Sequence, residues 1–311
     1  METEKDARHI SVLLEELVNS IEIFSDKPNI IVDCTLWMAG HAREIIQKMW
    51  KWDIFVGFDA DSRNLGLAKQ NLDKLQTDAE IILINSNFIH LKSELKKVGI
   101  ENITGIYYDL WISSLHVDEA ERWFSFKQDW PLDMRFDTST GKTAADIVNF
   151  SSKKELEDIF RYYWEDPSFR KIADRIITRR KETKFFTTKD LADFLDDILS
   201  FPKTKTRIFQ ALRIEVNKEL EAMEKSIPDA LDLLQSWWNI FVISFHSLED
   251  RIVKHILKKE TKWCICSDII CSCHHKKSLK LHSKKPILPS QEEIKSNPRS
   301  RSAKARGATK L

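Results

Sequence analysis

The 311-residue chain is 42% hydrophobic and 31% charged, the balance of a globular protein rather than a disordered one. No apolar run approaches the roughly 20 residues that cross a bilayer, and METEKDARHI carries no apolar signal core, so a cytoplasmic protein without a membrane partner is expected. The net charge of +1 hides an asymmetry: residues 274–311 hold eleven Lys and Arg against two Glu, which reads either as a phosphate footprint or as a solvated, partly disordered tail.

In chain order, apolar periodicity predicts helices at 11–24, 42–50, 62–75 and 91–98, alternating with strands at 29–34, 53–61, 79–87 and 105–110. That alternation is a doubly wound α/β pattern. The next convincing strand, NIFVISFHS at 239–247, comes about 130 residues later, far beyond an ordinary connection. Part of the gap is one long helix, 207–234, leading into this fifth strand. The remainder is a mostly helical insertion carrying the amphipathic pieces ELEDIFRYY, SFRKIADRIITRRKE and KDLADFLDDILS. The expected division is therefore an α/β domain of residues 1–111 and 206–311, with a helical, substrate-side insertion at 112–205. Beyond the helix at 248–260 come a cysteine-containing loop and the basic tail.

Two counts are anomalous together. Seven glycines make about 2% of the chain, where about 7% is ordinary, and there are ten tryptophans. Most of these avoid the apolar stripes where tryptophan belongs. Trp50 and Trp52 fall between a helix and a strand, Trp237 and Trp238 before the fifth strand, and Trp164 at a helix end, all positions that favour glycine. Trp37 stands in the loop after the first strand, where backbone must approach a ligand. In that loop Gly40 precedes Asp59 by 19 residues, the spacing of a glycine-bearing turn and a carboxylate that accepts from ribose hydroxyls.

The segments HISVLLEEL, VDCTLWMAGHA, GFDAD, SNFIHL, YYDLWISS, DEAERWFSFKQDWPLDMR, TAADIVN, TRIFQALRIEVNKEL, VISFHSLEDRIVK and NPRSRSAKAR run in order through the chain. Together they resemble the bacterial 16S ribosomal RNA (cytosine-N4)-methyltransferase family. The resemblance implies a class I S-adenosylmethionine-dependent methyltransferase, Rossmann-like, with a helical insertion domain. It also implies N4-methylation of a cytidine in small-subunit ribosomal RNA during ribosome biogenesis. S-adenosylmethionine is then the cofactor, and its contacts carry over to Ala39, Gly40, His41, Asp59, Phe88, Asp109 and His116. Ala39 replaces a family glycine and His116 a glutamine.

The family pattern has glycine at Trp37, Trp111, Trp123, Trp130, Trp164, Trp237 and Trp238, and the turns holding Trp50, Trp52 and Trp263 read as glycine too. The ten tryptophans are accordingly read as glycines encoded by UGA and mistranslated. Restoring them gives 17 glycines, about 5% and near ordinary usage. The alternative is ten separate substitutions; a UGG codon at one position would count against the UGA reading, and UGG at most would overturn it.

Methyl transfer to cytosine needs the amine held in line with the methyl group and an acceptor for its proton. Asp109, where the fourth strand ends, is the candidate catalytic residue, although DLWISS lacks the Pro-Pro-aromatic motif of many amino-methyltransferases and Asp109 alternatively serves the cofactor alone. SFHSLEDR lacks the glycines of a nucleophile elbow and is read as a substrate-side or structural motif. Arg170, Lys171, Arg175, Arg179, Arg180 and Lys181, with Arg299, Arg301 and Arg306 in the tail, are candidates for RNA phosphate contact or for a solvated face. Cys264, Cys266, Cys271 and Cys273, followed by His274 and His275, have C-x-C spacing rather than the common C-x-x-C. Reduced thiols are favoured over zinc, and no metal is assigned. A homodimer is a further expectation. The competing function is a non-catalytic ribosome-assembly protein, which requires the tryptophans to be genuine.

Overall fold

The computed structural model describes residues 11–110, 129–164, 168–198, 202–266 and 272–311. The chain forms two compact units, Met1–Trp111 with Leu220–Leu311, and Ile112–Glu219.

The first unit is built on seven strands, β1 (Ile30–Asp33), β2 (Ile54–Asp59), β3 (Glu80–Asn85), β4 (Ile103–Asp109), β5 (Leu234–Ser244), β6 (Leu279–Leu281) and β7 (Lys304–Lys310). They lie in the order β3-β2-β1-β4-β5-β7-β6. β1 to β5 are parallel and β7 runs antiparallel between β5 and β6. This is a doubly wound α/β architecture. The near-continuous apolar runs IIVD and IFVGFD suit strands covered on both faces. Alternate residues face opposite layers: Val32, Val56, Ile106 and Tyr108 join one core with Leu91, Ile227 and Val253. Ile31, Phe55, Tyr107 and Phe241 join the other with Leu17, Ile45 and Ala68. The helices supplying these layers include α1 (Leu14–Ser20), α2 (Gly40–Ile46), α3 (Ser62–Leu72) and α4 (Leu91–Lys97).

The second unit holds α5 (Ala144–Phe150), α6 (Lys153–Trp164), α7 (Phe169–Glu182), α8 (Thr188–Ile198) and α9 (Pro202–Asn217). Its core is apolar residues from all five, among them Val148, Phe160, Ile176, Leu195 and Leu212. The predicted insertion helices correspond to α6, α7 and α8. α5, formed by the TAADIVN segment, begins at a reciprocal cap between Thr143 and Asp146.

Two expectations are corrected. The single helix at 207–234 is two, α9 and α10 (Glu219–Leu233), because Lys218 between them adopts the left-handed conformation at φ 51°. Ile208, Phe209 and Leu212 of α9 pack in the insertion core, while Met223 and Ile227 of α10 pack under the sheet. The second compact unit runs to Glu219. The fifth strand starts earlier than expected: Ile103 pairs with Leu234 and Gly105 with Asn239, so residues 235–238 form a bulge holding both tryptophans.

The basic tail, for which partial disorder was one of two readings, is ordered structure. After α11 (Ser247–Glu260) and the cysteine loop, it supplies β6, α12 (Gln291–Ser296) and β7. β7 buries Ala305 and Ala308 in the two cores. Among the described residues, no helix is long and apolar enough to cross a membrane.

Candidate functional site

The sheet reverses direction of growth between β1 and β4, and in such sheets the crevice beyond the carboxyl ends of the strands is where ligands bind. Asp33, Asp59 and Asp109 are the last residues of β1, β2 and β4, and all three are buried. Three carboxyl groups therefore meet at that end of the sheet.

The loop after β1 is tied across it. The Asp33 carboxylate accepts from Thr35 N (2.9 Å), and the Thr35 hydroxyl oxygen accepts from Asp109 N (2.7 Å). Cys34 N donates to Tyr107 O and Leu36 N to Phe58 O, at 3.0 and 2.8 Å. The chain then turns through left-handed backbone at Trp37 (φ 51°) and Ala39 (φ 65°), a conformation that glycine adopts without steric cost. Gly40 starts α2, and a Cβ there would lie 2.1 Å from Ser11 Oγ, so no larger residue fits without displacing Ser11.

Trp37 N donates to Asp59 Oδ2 (3.0 Å), and its indole Nε1 donates to the Asp109 carbonyl (3.0 Å). One residue thus spans the interval between the ends of β2 and β4. Asp59 Oδ1 also accepts from Asp61 N (2.8 Å). Burial outweighs these donors and pushes the Asp59 carboxyl up to about 7. Burial likewise raises Asp33 to about 7, with the nearby Asp109 charge adding to it.

His41, in α2, places Nε2 2.9 Å from Val12 O and Nδ1 3.5 Å from Asp109 Oδ2. A carbonyl only accepts, so Nε2 carries the proton of the neutral ring. Burial lowers the His41 pKa to about 4, and the neutral Nδ1 therefore presents a lone pair to Asp109. A proton placed between them turns the pair into a hydrogen bond. Phe88 follows β3 and packs edge-on against Tyr108 at 5.6 Å.

The profile of the MraW methylase family matches residues 6–311. The chain belongs to that family. Its relatives include the ribosomal RNA small subunit methyltransferase H of Caldicellulosiruptor saccharolyticus, 43% identical over 97% of this chain and 99% of that protein. The protein of that name from Clostridioides difficile is 41% identical over the same shares.

Of the contacts that the MraW resemblance carries over, Ala39, Gly40, His41, Asp59, Phe88 and Asp109 all lie at the carboxyl end of the parallel strands, and His116 lies outside the described residues. Residue-level reading missed Asp33 and Thr35. The available signal was that three apolar strands, IIVD, IFVGFD and ITGIYYD, each close on Asp.

Other MraW segments resolve into structural roles. His246 is the N-cap of α11: its Nδ1 accepts from Glu249 N, while Glu249 Oε2 accepts from Phe245 N and His246 N. SFHSLED is accordingly a capping box. Arg306, a candidate for phosphate contact or for a solvated face, makes a two-point ion pair with Asp250 at 2.7 and 3.3 Å. Arg180 donates to Val148 O (2.8 Å), and Arg179 stacks over Phe185 and donates to Thr183 O. Arg170, Lys171, Arg175 and Lys181 are exposed, as are Arg299 and Arg301.

The tryptophans fit poorly as tryptophan. Trp50, Trp52, Trp237 and Trp263 are 62–73% exposed, and Trp237, like Trp37, has positive φ. The buried Trp130 indole N–H has no partner among the described residues, which costs about 1–3 kcal/mol. Trp238, by contrast, is well housed, buried edge-on against Phe24. Trp111 and Trp123 lie outside the described residues.

Proposed function

We propose that this protein transfers a methyl group from S-adenosylmethionine to N4 of a cytidine in small-subunit ribosomal RNA, in the cytoplasm. The observation that carries the reading is the match of 97% of the chain to proteins named ribosomal RNA small subunit methyltransferase H. The site geometry supports it. Asp59 offers a buried carboxylate to ribose hydroxyls, Phe88 an aromatic face to adenine, and Ala39 and Gly40 a close backbone approach. This donor set fits the cofactor when residue 37 is glycine: the backbone N–H to Asp59 remains and the indole no longer lies against Asp109. We propose glycine at that position and at the other nine.

When bound, S-adenosylmethionine supplies an electrophilic methyl group on a sulfonium. Asp109 accepts a hydrogen bond from the cytosine amine, which orients the amine and increases its electron density. Transfer would break the methyl–sulfur bond as the methyl–nitrogen bond forms, releasing S-adenosylhomocysteine, and the Asp109 carboxylate would take the proton that the amine loses. His41 is a positioning residue, its Nδ1 lone pair favouring a proton on the Asp109 side of the pair. The exposed cations of α7 and of the segment at 299–301 neutralise RNA phosphates.

The test is methyl transfer to small subunits lacking the modification, followed by nucleoside mass spectrometry. The chain with glycine at the ten positions yields N4-methylcytidine, and the same chain carrying Trp37 loses S-adenosylhomocysteine binding and activity. Absence of N4-methylcytidine with the glycine chain overturns the function. Equal binding by the Trp37 chain overturns the assignment of glycine to that position.

A further inference from the structure

The loop between α11 and β6 is not used by the proposed chemistry, yet it gathers sulfur. The Sγ atoms of Cys264, Cys266 and Cys273 all lie within 4.8 Å of one another. Cys264 and Cys266 are 2.9 Å apart, and Cys273 is 3.8 Å from Cys264. Each side chain is half-buried, so the cluster is shielded from bulk water but open to an ion. Cys271, also in the sequence, lies outside the described residues.

We propose that these three thiols, as thiolates, bind one zinc ion that fastens the cysteine loop to the sheet. Residues two apart in extended chain present side chains on one side, so C-x-C at 264–266 supplies two ligands from a single short segment. Cys273 then comes from the stretch that leads into β6. Tetrahedral zinc–thiolate bonds of about 2.3 Å set sulfur–sulfur edges of about 3.8 Å. The Cys264–Cys273 separation already has that length, and the Cys264–Cys266 pair opens by about 0.9 Å, within the reach of side-chain rotation.

The surroundings fit a structural role, with three protein ligands and one position left for a further donor. Both ends of the loop are pinned independently of the sulfurs. Ser278 N donates to Glu260 O (2.9 Å), Ser278 Oγ to Glu260 Oε2 (2.8 Å), and the His275 ring meets Lys259 O at 3.2 Å. These contacts hold the end of α11 beside the start of β6, so that the cysteines are brought together before any metal arrives. Three thiolates and Zn²⁺ leave a charge of −1, in a stretch that carries Lys262, Lys276 and Lys277. Binding displaces one proton from each thiol, and nothing is oxidised.

The experiment uses the full-length chain purified without a metal-affinity tag under reducing conditions. Elemental analysis gives close to one zinc per chain. X-ray absorption shows at least three sulfur neighbours, and metal-stripped protein titrated with Co²⁺ develops a thiolate-to-cobalt charge-transfer band that saturates at one equivalent. Cys264→Ser with Cys266→Ser, or Cys273→Ser alone, reduces bound zinc at least tenfold, whereas Cys34→Ala, outside the cluster, retains it. The Co²⁺ titration of the unmutated chain keeps the test decisive should a serine variant fail to fold. Metal-free protein with no charge-transfer band, two or fewer sulfur neighbours, or zinc retained in both serine variants overturns the site.

Discussion

Asp59 illustrates how a single carboxyl group can be both buried and functional. Its folded pKa of about 7, raised by burial from an ordinary 3.8, means that near neutrality the unliganded site holds the proton about half the time. Ribose hydroxyls donate best to the ionised form, so binding expels that proton. Affinity for S-adenosylhomocysteine therefore rises with pH below the folded pKa, by up to tenfold per unit, and levels off above about pH 7. Calorimetry on the glycine-restored chain should show this curve. Asp59→Asn should weaken binding by about 1.5–3 kcal/mol and flatten the pH dependence, and an unchanged slope in the variant would show that another group titrates. Asp59 and Asp109 were legible because each ends a recognisable strand within a recognisable motif. Asp33 does so equally, but its partner Thr35 reaches β4 only through folding, across 74 residues. The tryptophans were legible by their misplacement in turns, before any backbone angle was known.

At the scale of elements, periodicity located helices and parallel strands well because each has an apolar face and a polar one. It could not show that α9 and α10 are separate. The apolar pattern continues across Lys218, and only the packing of the two halves into different cores requires the left-handed break. The basic helix α7 likewise required coordinates, since its six cations look equivalent in sequence. Arg179 and Arg180 are engaged within the insertion, whereas Arg170, Lys171, Arg175 and Lys181 face solvent. Replacing those four by Glu should weaken RNA binding and reduce its salt dependence, leaving the melting temperature nearly unchanged. Arg180→Ala should do the reverse, lowering stability by about 1–3 kcal/mol because the buried Val148 carbonyl loses its donor. Filter binding at several salt concentrations, paired with urea unfolding, separates the two. Equal effects of both variants on RNA binding would refute the division.

At the scale of the molecule, the tail is the part composition described worst. Its charge of +9 invited a reading as phosphate footprint or solvated appendage, since KARGATK has no large apolar residue to mark a strand. Small residues let it lie flat between neighbours: a Cβ on Gly307 would lie 2.4 Å from His282 Nδ1 and 3.1 Å from the Phe241 ring. Arg306 closes onto Asp250 of α11 as an ion pair, with a side chain only 11% exposed. The last strand thus joins elements that precede it by some 60 residues. Removing residues 304–311 would strip β5 of its antiparallel partner, expose the Ile240 and Val242 layer, and leave the three-residue β6 without a strand to pair with. An uncovered apolar strand edge of this kind templates association. The truncated chain should therefore accumulate as aggregate and bind no S-adenosylhomocysteine, although every proposed cofactor contact is still present. Arg306→Ala, which spares the strand, should remain soluble and bind the ligand normally while unfolding at lower urea. If the truncated protein were soluble with full ligand affinity, β7 would be an accessory to the sheet rather than the element that completes it.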